Sequence, residues 1–236
     1  MKLFYQPNIS KYFNELTEEE SYHCSRVLRL KNKDIIYVTD GKGNLFKTEI
    51  VEINSKRTIV EILEVEKDYG KLPYYIHIAI APTKNIDRFE WFVEKSVEIG
   101  INEITPIICK NSERKIVKND RLNRIAESAM KQSYKTYHPK INEQQRYSDF
   151  IKLENRCEQK FIAFCEDVDN KEYLGKVVSK KSNILILIGP EGDFTIEEIQ
   201  FAINNNLIPV SLGRSRLRTE TAGVIACDIV SVINQI

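Results

Sequence analysis

Paired cysteines, long apolar runs, a charge excess and the common nucleotide-binding fingerprints are all missing from this 236-residue chain. Its five cysteines, Cys24, Cys109, Cys157, Cys165 and Cys227, form no C-x-x-C pair and no cysteine–histidine spacing. That argues against a disulfide framework and a zinc site, and leaves buried or incidental thiols in a reducing compartment as the expectation. No apolar stretch approaches the roughly 20 residues that span a bilayer. Met1 to Pro7 carry neither a long apolar region nor a cleavage signature. A cytoplasmic protein with no membrane partner and no metal is the expectation. Neither G-x-G-x-x-G after the first strand of the α/β part nor G-x-x-x-x-G-K-[ST] occurs, so the usual phosphate cradles are absent.

The formal net charge is only +1, so global charge does not announce a nucleic-acid binder. Charge is local instead. Arg26, Arg29, Lys31 and Lys33 form one basic cluster, Lys110 to Arg124 carry a second, and Arg214, Arg216 and Arg218 form a third. Basic patches between acidic stretches suit a protein that meets phosphate while staying neutral overall. Taken singly, each patch reads equally well as a solvated face.

Two rhythms divide the chain. Up to about residue 70 the pattern is mostly β, with short β-rich runs at 34–39, 45–53 and 58–65. Asp40-Gly-Lys-Gly-Asn44 supplies a tight hairpin turn, and Thr17-x-x-Glu20 opens a short helix as a capping box. Asp68 to Pro73 is turn-rich and is taken as the linker. Strand and helix then alternate. A strand over 74–81 precedes a helix capped by Asn85 and closed at Gly100, with Ile86, Phe89, Val93 and Val97 on one stripe. Trp91 lies in that helix and reads as core. Strands over 103–109, 161–165, 184–188 and 208–212 follow, with helices over 120–133, from Thr195, and over 220–236. Such alternation implies an α/β fold with a mostly parallel sheet covered on both faces. The domains are expected at 1–70, a small β-barrel-like unit, and 74–236, an α/β unit.

The chemistry concentrates in two loops near the tail. Ile188-Gly-Pro-Glu-Gly-Asp-Phe-Thr195 follows one buried-strand signal, and Leu212-Gly-Arg-Ser-Arg-Leu-Arg-Thr-Glu-Thr-Ala222 follows another. Loops at the carboxyl ends of neighbouring parallel strands are where open α/β sheets hold ligands. Pro190 removes one N–H, which disfavours a phosphate cradle and favours an adenine edge or an amino-acid group. Arg214, Arg216 and Arg218 alternate, so an extended chain shows them on one face. Three like charges repel unless an anion compensates. The bland alternatives are a plain strand-to-helix turn and surface arginines paired with nearby acids.

These two loops closely resemble the paired C-terminal motifs of the SPOUT RNA methyltransferases, and within them the bacterial 16S ribosomal RNA (uracil-N3)-methyltransferase family. His23-x-x-x-Val-Leu-Arg29 with Asp34 and Asp40-Gly-Lys-Gly43 is similar to that family's N-terminal PUA-like RNA-binding domain. Glu90-Trp-x-x-x-Lys-Ser-Val-Glu-Ile-Gly100, Ile104-x-Pro106 and Ala129-x-Lys-Gln-Ser133 match its middle motifs, so the likeness spans nearly the whole chain. It implies S-adenosylmethionine as cofactor, a SPOUT-type trefoil knot formed by the last strands and the closing helix, and a homodimer acting on 16S ribosomal RNA in the small ribosomal subunit. Carried over by motif, Leu187, Ile188, Gly189, Pro190, Glu191 and Gly192 would line the cofactor pocket with Leu212, Gly213, Leu217, Arg218, Thr219, Thr221 and Ala222. Glu220 lies within the same motif. The family often has Arg at the positions of Ser215 and Lys135, and an aliphatic residue at that of Arg216. These departures leave open which arginine touches RNA.

The implied reaction sets the demands on the site. Uracil N3 holds a proton and a delocalised lone pair, so it attacks a sulfonium methyl poorly until deprotonated. Alignment can contribute several kcal/mol, and an arginine near O2 or O4 stabilises the developing charge. Arg218 is assigned that role. Glu220 is either a base, an arginine-orienting group, or a cap of the last helix. Arg26, Arg29 and Lys31, with Arg214 and Arg216, are assigned to RNA phosphates. His23, His77 and His138 lack partner spacing and are not taken as catalytic. The other readings are a methyltransferase of the same superfamily on another RNA site and a non-catalytic ribosomal RNA binder.

Overall fold

The computed structural model describes residues 1–153, 157–166 and 171–236, which form two compact units. The first comprises Met1–Lys71 and Glu127–His138, and the second Leu72–Ala126 and Pro139–Ile236.

In the first unit, strands β1 (Leu3–Tyr5), β2 (Ile35–Thr39), β3 (Leu45–Ile53) and β4 (Thr58–Glu66) form one sheet in that order. β1 runs parallel to β2 and the remaining pairs are antiparallel. Phe4, Ile36, Val38, Phe46, Ile50 and Val60 point into a core that Leu16, Cys24 and Leu30 complete. Helix α1 (Glu18–Tyr22) is capped by Thr17, whose Oγ1 accepts from the N–H of Glu20 at 3.2 Å. The expected capping box is only half made. The Glu20 carboxylate is buried and turns instead to the Lys131 ammonium and the N–H of Tyr5. After α1 the chain widens into a π-turn, His23–Val27. The hairpin turn is as expected: the Asp40 carboxylate accepts from the N–H groups of Lys42 and Asn44.

The second unit follows as β5 (Tyr75–Ile80), α2 (Ile86–Ile99), β6 (Glu103–Ile108), α3 (Asn119–Gln132, whose end counts to the first unit), β7 (Lys140–Ile141), β8 (Gln145–Arg146) and α4 (Tyr147–Leu153). It continues through β9 (Gln159–Ala163), β10 (Glu172–Tyr173), α5 (Leu174–Val177), β11 (Asn183–Ile188), α6 (Ile196–Asn204), β12 (Ile208–Ser211) and α7 (Thr219–Gln235). The sheet order is β10-β12-β9-β11-β5-β6-β7, with β8 also on β6, and every described pairing is parallel. β5 and β11 lie side by side at its centre, and Ile76, Ile78, Ile80, Ile184 and Ile186 are fully buried. That is why both strands read as unbroken apolar runs. Each such side chain contributes about 1.5–3 kcal/mol by leaving water.

Helices α2 and α7 pack tightly together. A Cβ on Gly223 of α7 would stand 2.6 Å from the Phe92 ring and 2.9 Å from Ile80. Phe89, Phe92, Val93 and Val97 form the buried stripe of α2, whereas Trp91 is 43% exposed and is not part of the core expected for it. Phe92 takes the inward position because it lies three residues from Phe89, on the same helical face. Among the described residues no helix is long and apolar enough to cross a membrane.

Candidate active site

Parallel strands β9, β11 and β12 end at one edge of the sheet, and the loops that leave them are laced together. In the loop after β11, the Pro190 carbonyl accepts from the N–H of Asp193 at 2.9 Å, closing a turn with Asp193 at φ 60°. Asp193 then ties neighbouring segments. One carboxylate oxygen accepts from its neighbour Phe194 N–H at 2.8 Å, the other from Cys165 N–H, after β9, at 2.7 Å. Asn111 Nδ2 donates to the carbonyls of Gly192 and Asp193, and Glu191 accepts from the N–H of Lys84 at 2.8 Å. Thr195 and Glu198 form a complete capping box on α6. The turn is therefore held before any ligand arrives.

The loop after β12 is built differently. Gly213 sits at φ 139°, a conformation that L side chains rarely adopt. Arg214, Arg216 and Arg218 are exposed, and none makes an ion pair or side-chain hydrogen bond among the described residues. The two loops meet where Thr219 Oγ1 donates to the carbonyl of Gly189 at 3.0 Å, in a buried position.

Between them lies a cleft of about 360 Å³. Ile188, Gly189, Pro190 and Glu191 line it from one loop, and Leu217, Arg218, Thr219 and Ala222 from the other. Arg216, Asp193 and the segment Ala163–Cys165 complete the wall with Arg88 from the first turn of α2. A wider lobe of about 890 Å³ shares Ala163, Phe164, Cys165, Arg216, Leu217 and Ala222 with it, and adds Leu212, Gly213 and Arg214. Leu187 is fully buried in the core beneath. Gly192 faces Asn111, and Glu220 and Thr221 occupy the first turn of α7 without lining either lobe.

Arg26, Arg29 and Lys31 are exposed on the first unit. Arg26 lies in the π-turn, Arg29 has φ 51°, and the N–H of Lys31 donates to Asp34 at 2.8 Å.

Sequence reasoning missed Arg88 and Cys165. β5 lies next to β11 and runs parallel to it, so the helix that follows β5 starts at the same edge as the ligand loops. That makes Arg88 findable once the strand order is known. Burial first, then the Asp193 carboxylate, raises the Cys165 thiol above its ordinary pKa, so it stays protonated rather than nucleophilic. His77 is buried away from the cleft, its Nε2 2.8 Å from Thr105 Oγ1. Among the described residues no group of three or more His, Cys, Asp or Glu side chains could hold a metal ion.

A cleft at the carboxyl edge of a parallel sheet, lined by exposed guanidiniums, and a separate small N-terminal β unit occur in a chain that is an RNA methyltransferase. The RNA methyltransferase domain model matches residues 70–231, and the RNA methyltransferase PUA domain model matches residues 16–63. Within that class the chain belongs to the family of ribosomal RNA small subunit methyltransferase E. It is 30% identical over 222 residues to the member from Buchnera aphidicola subsp. Acyrthosiphon pisum, covering 91% of this chain and 85% of that one. A crystal structure of a probable rRNA-methyltransferase from Porphyromonas gingivalis is similar at 39% identity and TM-score 0.93, covering 100% of this chain and 99% of that one. The Neisseria gonorrhoeae ribosomal RNA small subunit methyltransferase E, solved bound to S-adenosyl methionine, is similar at 30% identity and TM-score 0.83, covering 96% and 95%.

Proposed function

We propose that this chain transfers a methyl group from S-adenosylmethionine to N3 of a uridine in 16S ribosomal RNA, within the small ribosomal subunit. The observation that carries the proposal is the junction of two glycine-bearing loops, closed by the Thr219–Gly189 hydrogen bond over one cleft. The narrow cleft mixes charges, with the carboxylates of Glu191 and Asp193 against the guanidiniums of Arg88, Arg216 and Arg218. That donor set fits a ligand carrying a sulfonium, an ammonium and a carboxylate.

When bound, S-adenosylmethionine supplies a methyl group activated by its positive sulfur. The chain's own residues do the rest. Backbone groups of Gly189–Glu191 and Leu217–Thr219 would hold the cofactor, with Ile188, Leu212, Gly213 and Ala222 walling the site. Arg218 faces the pyrimidine oxygens and stabilises the ring as N3–H gives up its proton to solvent water. The freed N3 lone pair would accept the methyl group, the carbon–sulfur electrons staying with the sulfur. Glu220 orients the guanidinium of Arg88 beside it. Arg26, Arg29 and Lys31 position RNA by its phosphates on the first unit.

We read the path of β11, β12 and α7 as a trefoil knot, supported by β12 pairing with β9 while α7 packs on α2 and by the Thr219–Gly189 bond. Homodimerisation and a cytoplasmic location belong to the same reading. Sedimentation of the purified chain tests the dimer.

The functional test is mass-spectrometric mapping of methylated uridines in 16S ribosomal RNA from cells with and without the protein, paired with calorimetry against S-adenosylmethionine. One 3-methyluridine should vanish with the protein. An unchanged map with intact cofactor binding would move the target to another RNA, and absent cofactor binding would end the reading.

A further inference from the structure

The second basic segment, Lys110 to Arg124, takes no part in the function proposed above. It follows β6 at the carboxyl edge of the sheet, the edge that carries the ligand loops, and leads into α3. Six cations stand in it against two acids, Glu113 and Asp120. Three of the six are engaged. Lys110 lies 3.8 Å from Glu197, Arg121 is held by the Glu90 carboxylate, and Arg114 donates to the carbonyls of Thr83 and Lys84. Glu113 is taken by Lys84 at 2.7 Å, and Asp120 lies in the first turn of α3, where a helix favours an acid. Lys115, Lys118 and Arg124 are exposed and form no ion pair among the described residues.

Lys115 and Lys118 ride on a loop that is tied down along its length. Ser112 Oγ accepts from the N–H of Cys109 at 3.0 Å, and Arg114 reaches the chain ahead of α2. The Gln144 side-chain amide donates to the Lys115 carbonyl and accepts from the Val117 N–H, both at 2.8 Å. Asn111 of the same loop donates to the Gly192 and Asp193 carbonyls, so the lysines and the turn that walls the cleft belong to one hydrogen-bonded framework. A loop ordered beforehand loses little freedom when it binds. Repulsion between two lysines three residues apart is relieved by an anion that reaches both.

Resting on the function proposed above, we infer that this loop is an RNA contact of the second unit, in which Lys115 and Lys118 take phosphates of the small-subunit RNA. Methyl transfer brings RNA to this edge of the sheet, so its phosphates are the anions that arrive there. Neither lysine lines the cleft, and both position RNA without touching the reacting atoms.

The test uses the full chain, S-adenosylmethionine, and small ribosomal subunits from cells lacking the protein. Lys115→Ala with Lys118→Ala should reduce the slope of log affinity against log salt by about 1.4–1.8, since each phosphate contact contributes about 0.7–0.9. KM for the subunit should rise while kcat at saturation holds, the mark of a contact made equally in ground and transition states. Affinity for S-adenosylmethionine should be unchanged. Lys115→Arg with Lys118→Arg keeps the charges and should keep the slope. Lys95→Ala, at a lysine already held by Glu94 and Glu98, should also leave it alone. Gln144→Ala, which frees the loop, should reproduce part of the KM rise. With benzoylphenylalanine in place of Ile116, a side chain 75% exposed between the two lysines, light should cross-link the chain to 16S ribosomal RNA. Native slope and KM in the double alanine variant, with methylation by the native chain intact, would overturn this surface alone. Cross-links to ribosomal protein only would do the same, and would assign the lysines to an acidic protein face. A native chain that methylates no uridine would overturn the proposed function instead.

Discussion

Nε of Arg88, in the first turn of α2, lies 3.8 Å from Oε1 of Glu220 in the first turn of α7. The Glu220 side chain is only 8% exposed, and its second oxygen is buried without a hydrogen-bond partner. A carboxylate so placed is favoured by the helix N-terminus and by one guanidinium, while that guanidinium keeps donors free for the cleft it lines. Sequence alone left Glu220 as base, orienting group or cap, and this geometry favours orientation of Arg88.

A double-mutant cycle follows from that pair. Arg88→Ala and Glu220→Gln should each reduce methyl transfer, and the double variant should be little worse than the poorer single one, because the two act as a unit. A base role for Glu220 predicts otherwise. The losses would then add, and Glu220→Gln would remove an ionisation from the pH–rate profile.

The hydrogen bond between Thr219 Oγ1 and the Gly189 carbonyl is the joint between the two ligand loops. Thr219→Val keeps the shape and leaves that buried carbonyl without its donor, at a cost of about 1–3 kcal/mol. Affinity for S-adenosylmethionine should fall about tenfold or more in calorimetry, with a smaller fall in Tm. Thr219→Ser keeps the donor and should bind close to normally. Equal binding by Thr219→Val and the native chain would show that the loops do not need this joint.

Glu103, the first residue of β6, is buried in a polar cluster. Burial works against its charge. The Asn142 amide, His77, the Tyr75 hydroxyl and Lys140 outweigh it and hold the carboxyl down to about 2, from an ordinary 4.5. A depressed folded pKa adds stability that is fully present above the unfolded value and is lost as pH falls between about 4.5 and 2. Urea midpoints over that range should therefore decline more steeply for the native chain than for Glu103→Gln. Parallel curves would refute the charge on Glu103.

The α/β rhythm was legible because β5 and β11 are buried on both faces and α2 keeps its stripe of Phe89, Val93 and Val97. The turns after β11 and β12 were legible because Gly213, Pro190 and the Thr195 cap each have a local physical reason. Two features were not. Trp91 was assigned to the core because its apolar character was read without fixing which helical face Phe92 would claim. Strand order, which brings Arg88 to the cleft, is set by non-local pairing that no local pattern encodes.

Arg26 and Arg29 give the last prediction. Both are exposed on the first unit, Arg26 where the helix widens into a π-turn and Arg29 at φ 51° just beyond it. Cys24 and Leu30 on either side are buried in the core, while Arg26 to Arg29 between them are exposed. If these guanidiniums neutralise phosphates, each contributes about 0.7–0.9 to the slope of log affinity against log salt. Arg26→Ala with Arg29→Ala should then weaken binding to small ribosomal subunits and reduce that slope by about 1.4–1.8, while cofactor affinity is unchanged because neither residue lines the cleft. An unaltered slope with normal folding would mean that RNA approaches the first unit over another surface, and Lys31 would lose its assignment with them.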